Sequence, residues 1–195
     1  VFLSKFVCMK KWVVLLISCI TLVQVEAQNK SIPALDKSSL DISFYPSNYP
    51  ILKIQDKAKE PLAIRVIYSR PQKNSREVFG GIVEYGQVWR FGANEATEIE
   101  FFKDATIGKV RVKKGRYTLF AIPQPESWTL ILNRENDTWG AFKYDPKKDV
   151  VRTEVNVLTT SEITDAFTMY FDSSPNGALL NILWDNKKAT LPIIF

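Results

Sequence analysis

From Leu40 onward the chain repeats one pattern: apolar residues fall at every second position, run after run. That spacing places them on one face of an extended strand and is incompatible with a helical stripe. Leu62, Ile64, Val66 and Tyr68 share a face, as do Thr97, Ile99 and Phe101, and then Trp128, Leu130 and Leu132. Val151, Thr153, Val155 and Val157 continue the pattern, followed by Phe167, Met169 and Phe171, by Leu180, Ile182 and Trp184, and by Ala189, Leu191, Ile193 and Phe195. In the run from Tyr117 to Ile122 the second set of positions also holds Phe120 and Ile122, so both faces are expected to be covered there. Turn chemistry separates the runs at Gly108-Lys109, Lys113-Lys114-Gly115, Pro123-Gln124-Pro125, Asp145-Pro146, Ser174-Pro175-Asn176-Gly177 and Asp185-Asn186. Short strands spaced by turns, with no sustained helical period, predict an all-β protein. The expected fold is an antiparallel two-sheet sandwich with an irregular, motif-bearing crossover loop. Ile64, Val66, Leu119, Leu130, Val155, Phe167, Met169 and Ile182 are expected in its core. Pro192 cannot donate to a ladder, so the last strand is expected at an edge or bulged there.

The first residues follow a different logic. Lys10-Lys11 precede an apolar run from Trp12 to Val25, and Val25-Glu26-Ala27 closes it. This is the layout of a secretory signal, with Met9 as the natural start and cleavage expected after Ala27. Leu16-Ile17-Ser18-Cys19 offers a lipobox as the alternative, although the residues after Cys19 stay apolar. The expected organisation is a signal peptide over 1–27, a flexible lead-in over 28–38, and one β-sandwich domain over 39–195. Export to the periplasm or the extracellular space follows from that reading, with a lipoprotein anchored through Cys19 as the other route.

Composition narrows the chemistry. Both cysteines, Cys8 and Cys19, lie in the signal, and the chain has no histidine. Downstream of the signal, disulfides, thiolate chemistry, Ser-His and Cys-His nucleophile pairs and histidine metal sites are therefore excluded. The net charge is +5, and removing 1–27 takes away three lysines and one glutamate, which leaves +3. That excess is spread along the chain and forms no basic stripe, so no nucleic-acid partner is expected. No cofactor, no metal site and no membrane span in the mature chain is expected either.

One segment breaks the regular pattern. Arg70 to Thr97 carries arginines, glutamates and glycines in a stretch too irregular for one strand or helix, and function tends to sit where local rules fail on a regular scaffold. The candidate ligand-binding residues are Arg70, Arg76, Glu77, Trp89, Arg90, Asn94 and Glu95. Trp139 joins them from a second irregular patch, Asp137 to Phe142. Arginines supply bidentate donors to oxyanions or sugar hydroxyls. Trp89 or Trp139 can stack on a flat ligand or fill the core. Glu77 and Glu95 offer an acid and a base for glycoside cleavage if the fold sets them at the right separation. The same Arg and Glu residues can equally pin the loop to the scaffold. The side chains of Arg76, Arg90, Asn94 and Glu95 are expected in one neighbourhood, because a loop this charged needs partners.

The run Arg76-Glu77-Val78-Phe79-Gly80-Gly81, then Tyr85-Gly86-Gln87-Val88-Trp89-Arg90-Phe91-Gly92-Ala93-Asn94-Glu95-Ala96-Thr97, resembles a family of secreted bacterial proteins known only as a domain of unknown function. The likeness extends through Tyr68-Ser69-Arg70-Pro71, Gly115 to Pro123, Trp128 and Trp139 to Asp145. The resemblance implies an exported, mostly β domain and supplies no catalytic residue. Three functional readings follow: a non-catalytic binding or envelope-associated domain recognising a polar small molecule or glycan, a glycan-type hydrolase using Glu77 and Glu95, and a purely structural module.

Overall fold

The computed structural model describes residues 32–195. The signal expected over 1–27 and the first part of the lead-in lie outside the described residues. Asp36–Phe195 forms one compact unit. Its strands are β1 (Leu40–Tyr45), β2 (Ile64–Ser69), β3 (Glu98–Phe101), β4 (Ala105–Ile107), β5 (Val110–Val112), β6 (Gly115–Pro123), β7 (Ser127–Asn133), β8 (Asp149–Ser174) and β9 (Gly177–Ile194). The short helix α1 (Tyr49–Ile54) follows β1, has Pro50 in its first turn and buries none of its residues.

Every strand pair is antiparallel, in the order β1-β2-β3-β6-β7-β8-β9-β4-β5. The fold is thus all-β, as the alternation requires, but the strands do not separate into two independently bonded sheets. The reason is β8, which is 26 residues long. Its first part pairs with β7, from Ser127 opposite Asn156 to Asn133 opposite Asp149. Its second part pairs with β9, from Val157 opposite Ala189 to Ser174 opposite Gly177. The register shifts between Thr159 and Thr164 and again between Thr164 and Thr168. Such irregularities bend a strand and increase its twist. The two alternating runs read from the sequence on either side of that stretch are one strand with two partners. Asp185-Asn186 likewise makes no turn but lies within β9, with Asp185 at φ +56°. Pro192 falls beyond the last β8–β9 pair, where its missing N–H is not required.

The bend brings both parts of the sheet onto one core. Ile64, Val66, Ile99, Leu119, Leu130 and Val155 from one part meet Phe167, Met169, Leu180 and Ile182 from the other. All eight residues expected in the core are buried. The sheet does not close into a barrel. Side chains instead tie its β1–β2 end to β8, accepting and donating where a ladder would. Ser43 Oγ donates to the Met169 carbonyl at 2.6 Å, Ser47 Oγ to that of Phe171 at 2.9 Å and Arg70 Nε to that of Phe167 at 3.1 Å. The Tyr68 hydroxyl donates to the Met169 carbonyl at 3.1 Å and accepts from the Met169 N–H at 3.0 Å. Beyond β2, Gln72 makes an antiparallel bridge with Ala166, flanked by Phe167 N to Pro71 O at 2.9 Å and Lys73 N to Asp165 O at 2.8 Å.

Candidate functional site

The outer face of β6 and β7 is apolar and needs a cover. Phe120 and Ile131 are buried there with Ala96, against Val88, Ile122, Ala141 and Tyr144. Two irregular segments supply that cover. The first is the stretch from Val78 to Thr97. Trp89 exchanges both backbone hydrogen bonds with Ala121, at 2.7 and 3.0 Å, and Gly86 N donates to the Pro123 carbonyl at 2.9 Å. The segment therefore extends the sheet along the edge of β6 beyond β3. The second is the loop after β7, residues 134–148. It folds back onto the first: Glu95 and Trp139 form an antiparallel bridge, with Ala96 N to Thr138 O at 3.0 Å and Gly140 N to Asn94 O at 2.9 Å. The dense motif and the second patch of the sequence are thus neighbours in space.

A polar network anchors the second loop. The buried Asn133 amide donates to the Asp145 carbonyl at 3.0 Å and to Asp149 Oδ1 at 2.8 Å. Asp149 Oδ2 also accepts from the Tyr144 hydroxyl at 2.6 Å and from Arg152 Nε at 2.8 Å. Burial pushes the Tyr144 phenol up, and its hydrogen bond to the Asp149 carboxylate adds to the rise. Arg152 is held charged chiefly by the same carboxylate. Asp145 caps the short 3-10 turn Pro146–Lys148 through Lys147 N at 3.0 Å. At the other end Glu98 Oε1 accepts from Asp137 N at 2.8 Å, and Arg116 bridges Glu98 and Asp137 at 3.3 and 2.7 Å.

Between these anchors lies a groove of about 500 Å³ walled by Phe120, Asn136, Thr138, Trp139, Phe142 and Tyr144. Trp139 is 62 % exposed and Phe142 is 83 % exposed. Apolar rings left open beside a pocket are available to contact a ligand. Asn136 Oδ1 and Thr138 Oγ1 are shut off from solvent and have no hydrogen-bond partner. Gly140 sets the geometry between the two rings. Its φ is +65°, and a Cβ there would lie 2.7 Å from Phe142 Cε2. Only glycine lets the ring approach that close and the backbone take that angle without strain.

The sequence candidates distribute unevenly around this groove. Asn94, Glu95 and Trp139 are brought together by the loop pairing. The Asn94 amide donates to Asp36 Oδ2 at 2.7 Å. Arg90 lines a second groove that shares Phe142 with the first. Trp89 is in the core, where its ring meets those of Phe79, Phe91, Trp128, Phe167 and Trp184, and its indole N–H donates to the Gly92 carbonyl at 3.1 Å. Arg70 joins Asp41, Phe167 and Thr168 at the β8 seam. Arg76 donates to the carbonyls of Gln72 and Lys73 within its own loop. Arg76, Arg90, Asn94 and Glu95 make no hydrogen bond or ion pair with one another among the described residues. Glu77 is exposed and lines neither groove. Glu95 is exposed too and lines a smaller cleft with Ser69, Thr138 and Glu98. Phe142, Asn136 and Thr138 were not singled out from the sequence. Their signal was the aromatic and glycine content of the second patch.

Among the described residues no cluster of His, Cys, Asp and Glu has the geometry to hold a metal, and no helix is long and apolar enough to cross a membrane. No curated protein and no solved structure matches the chain. A family model does match, over residues 50–193, which takes in α1 from Pro50, β2 to β8, β9 up to Ile193 and both loops around the grooves. The chain belongs to the family described as "Protein of unknown function (DUF2911)".

Proposed function

We propose that this is an exported, non-catalytic binding domain that takes a polar small molecule or glycan in the groove between the two loops. Trp139 and Phe142 supply the stacking surface, and Asn94 and Glu95 hold the loop that carries Trp139. The observation that carries this reading is the pair of open aromatic rings, Trp139 and Phe142, lining the groove between the two loops. A ligand with a flat apolar face covers these rings, and Glu135, Asp137 and Lys143 in the groove lining offer partners to its hydroxyl or amide groups. Export rests on the signal-like residues 1–27.

The test is a calorimetric screen of glycans and polar metabolites against wild type and Trp139→Ala. A stacked ring contributes about 0.5–1.5 kcal/mol, so affinity should fall about 2- to 12-fold in the variant. Ligands that bind both proteins equally well would refute the placement of the site. Arg70, Arg76 and Trp89 favour the structural reading for their part of the motif, since each is occupied by contacts within the fold.

A further inference from the structure

Building on this binding reading, we propose that the ligand carries an oxyanion, a carboxylate or phosphate group, and that Arg90 recognises it in the second groove. That groove measures about 350 Å³ and is lined by Ile82, Glu84, Gln87, Arg90 and Phe142, among others. Phe142 walls both grooves, so one ligand can stack in the first and reach the second. Three arginines among the described residues are partly buried: Arg65, Arg70 and Arg90. Arg65 is ion-paired with Glu100 and Arg70 with Asp41. The Arg90 side chain makes no ion pair and no hydrogen bond among the described residues, and its Nε is shut off from solvent without an acceptor. The Nε–H in this position loses hydration and regains nothing from the protein. Burial correspondingly pushes its pKa down, with no carboxylate offsetting it. Lys143, on the first-groove side of Phe142, is likewise without an ion pair among the described residues. Two uncompensated cations therefore flank the shared aromatic wall. Glu84 is the opposing charge. It is exposed, lines the second groove and makes no ion pair with Arg90.

A bidentate guanidinium–oxyanion contact is charge-assisted, and Arg is the side chain suited to it. The experiment compares tetragalacturonic acid with its methyl-esterified form, which keeps the rings and removes the charge. Inorganic phosphate is titrated separately, followed by the Arg90 side-chain resonances. Wild type should prefer the acid by about tenfold, the scale of one hydrogen bond to a charged group. In Arg90→Gln the ratio of the two affinities should fall to near one. Glu84→Gln, an exposed change that does not threaten folding, should strengthen acid binding by about threefold, as removal of a nearby like charge does at a solvated surface. Added salt should weaken the preference. Saturable phosphate binding that is lost in Arg90→Gln, with no preference between acid and ester, assigns the oxyanion to phosphate. The proposal is overturned if wild type shows no acid preference and no phosphate binding at Arg90, or if an acid preference survives unchanged in Arg90→Gln. In that case ester binding that still depends on Trp139 leaves the stacking groove standing, and loss of that dependence removes it as well.

Discussion

Two tryptophans of the irregular segments should behave in opposite ways when cut to alanine. Trp89 is 8 % exposed and sits among five aromatic rings, with centroids 5.1 to 6.4 Å from its own. Burying an indole removes about 150–250 Å² from water, which at about 25 cal/mol per Å² amounts to about 4–6 kcal/mol. Measured Trp→Ala and Phe→Ala changes in cores cost about 3–5 kcal/mol. The two scales agree, and either is a large part of the total stability of about 5–15 kcal/mol expected of a domain. Trp89→Ala should therefore lower the melting temperature by about 6–20 °C, taking about 2–4 °C per kcal/mol for a domain of this size. Trp139 is 62 % exposed, and its removal should change stability by no more than about 0.5 kcal/mol. Urea unfolding followed by circular dichroism measures both. A Trp89→Ala loss below about 1.5 kcal/mol, or a Trp139→Ala loss as large as that of Trp89→Ala, would refute the division of the motif into a core half and a surface half.

Tyr68→Phe leaves the Met169 N–H without its partner at the seam, and should cost about 1–3 kcal/mol in urea unfolding; a neutral change would mean that water replaces the hydroxyl. Asp104 accepts from the Lys114 N–H and from Lys113, which lowers its pKa from 3.8 to about 2. A depressed folded value means that its stabilising contribution is complete above the ordinary carboxylate range and is lost as pH falls through about 2. An NMR titration of its carboxyl carbon should show that midpoint, and a midpoint near 3.8 would contradict the hydrogen bonding. Gly140→Ala puts a Cβ 2.7 Å from the Phe142 ring at a φ of +65°. It should cost about 1–2 kcal/mol and displace Phe142, so ligand binding should weaken while Trp89 stays buried by acrylamide quenching of tryptophan fluorescence.

The core was legible because it is written in the local period. Ile64, Val66, Leu119 and Leu130 occupy alternate positions, and one face of a strand either meets the core or does not. The covered outer face was legible for the same reason: Phe120 and Ile122 break the polar half of the alternation, and Ala96, Ala141 and Tyr144 cover that face. The single continuous sheet was not legible. It depends on β8 changing partner near Val157 and on the irregular stretch from Thr159 to Thr168. Which strand lies beside which is decided by contacts between residues far apart in the chain, and alternation within a strand carries no trace of them.

The site was legible as a place and not as a set of roles, and the two tryptophans show why. Trp89 and Trp139 have the same side chain and both lie in irregular, glycine-containing segments. What separates them is the residue each one faces across a backbone pair. Directly opposed residues in antiparallel strands project to the same side. Trp89 is paired with Ala121, whose side chain belongs to the core, so the indole is carried inward with it. Trp139 is paired with Glu95, which is exposed, so the second indole is carried out to the groove. The burial of each ring is therefore set by its partner's position in the sheet. The same logic explains why the charged motif residues scatter. Arg70 sits where β2 leaves the sheet for the β8 seam, and Arg76 lies in the turn that follows. Asn94 and Glu95 instead pair with the loop after β7. Arg90 follows the inward-facing Trp89 by one residue, and the two-residue period of the strand turns it to the outer face, where it shares a groove with Glu84 but forms no ion pair among the described residues.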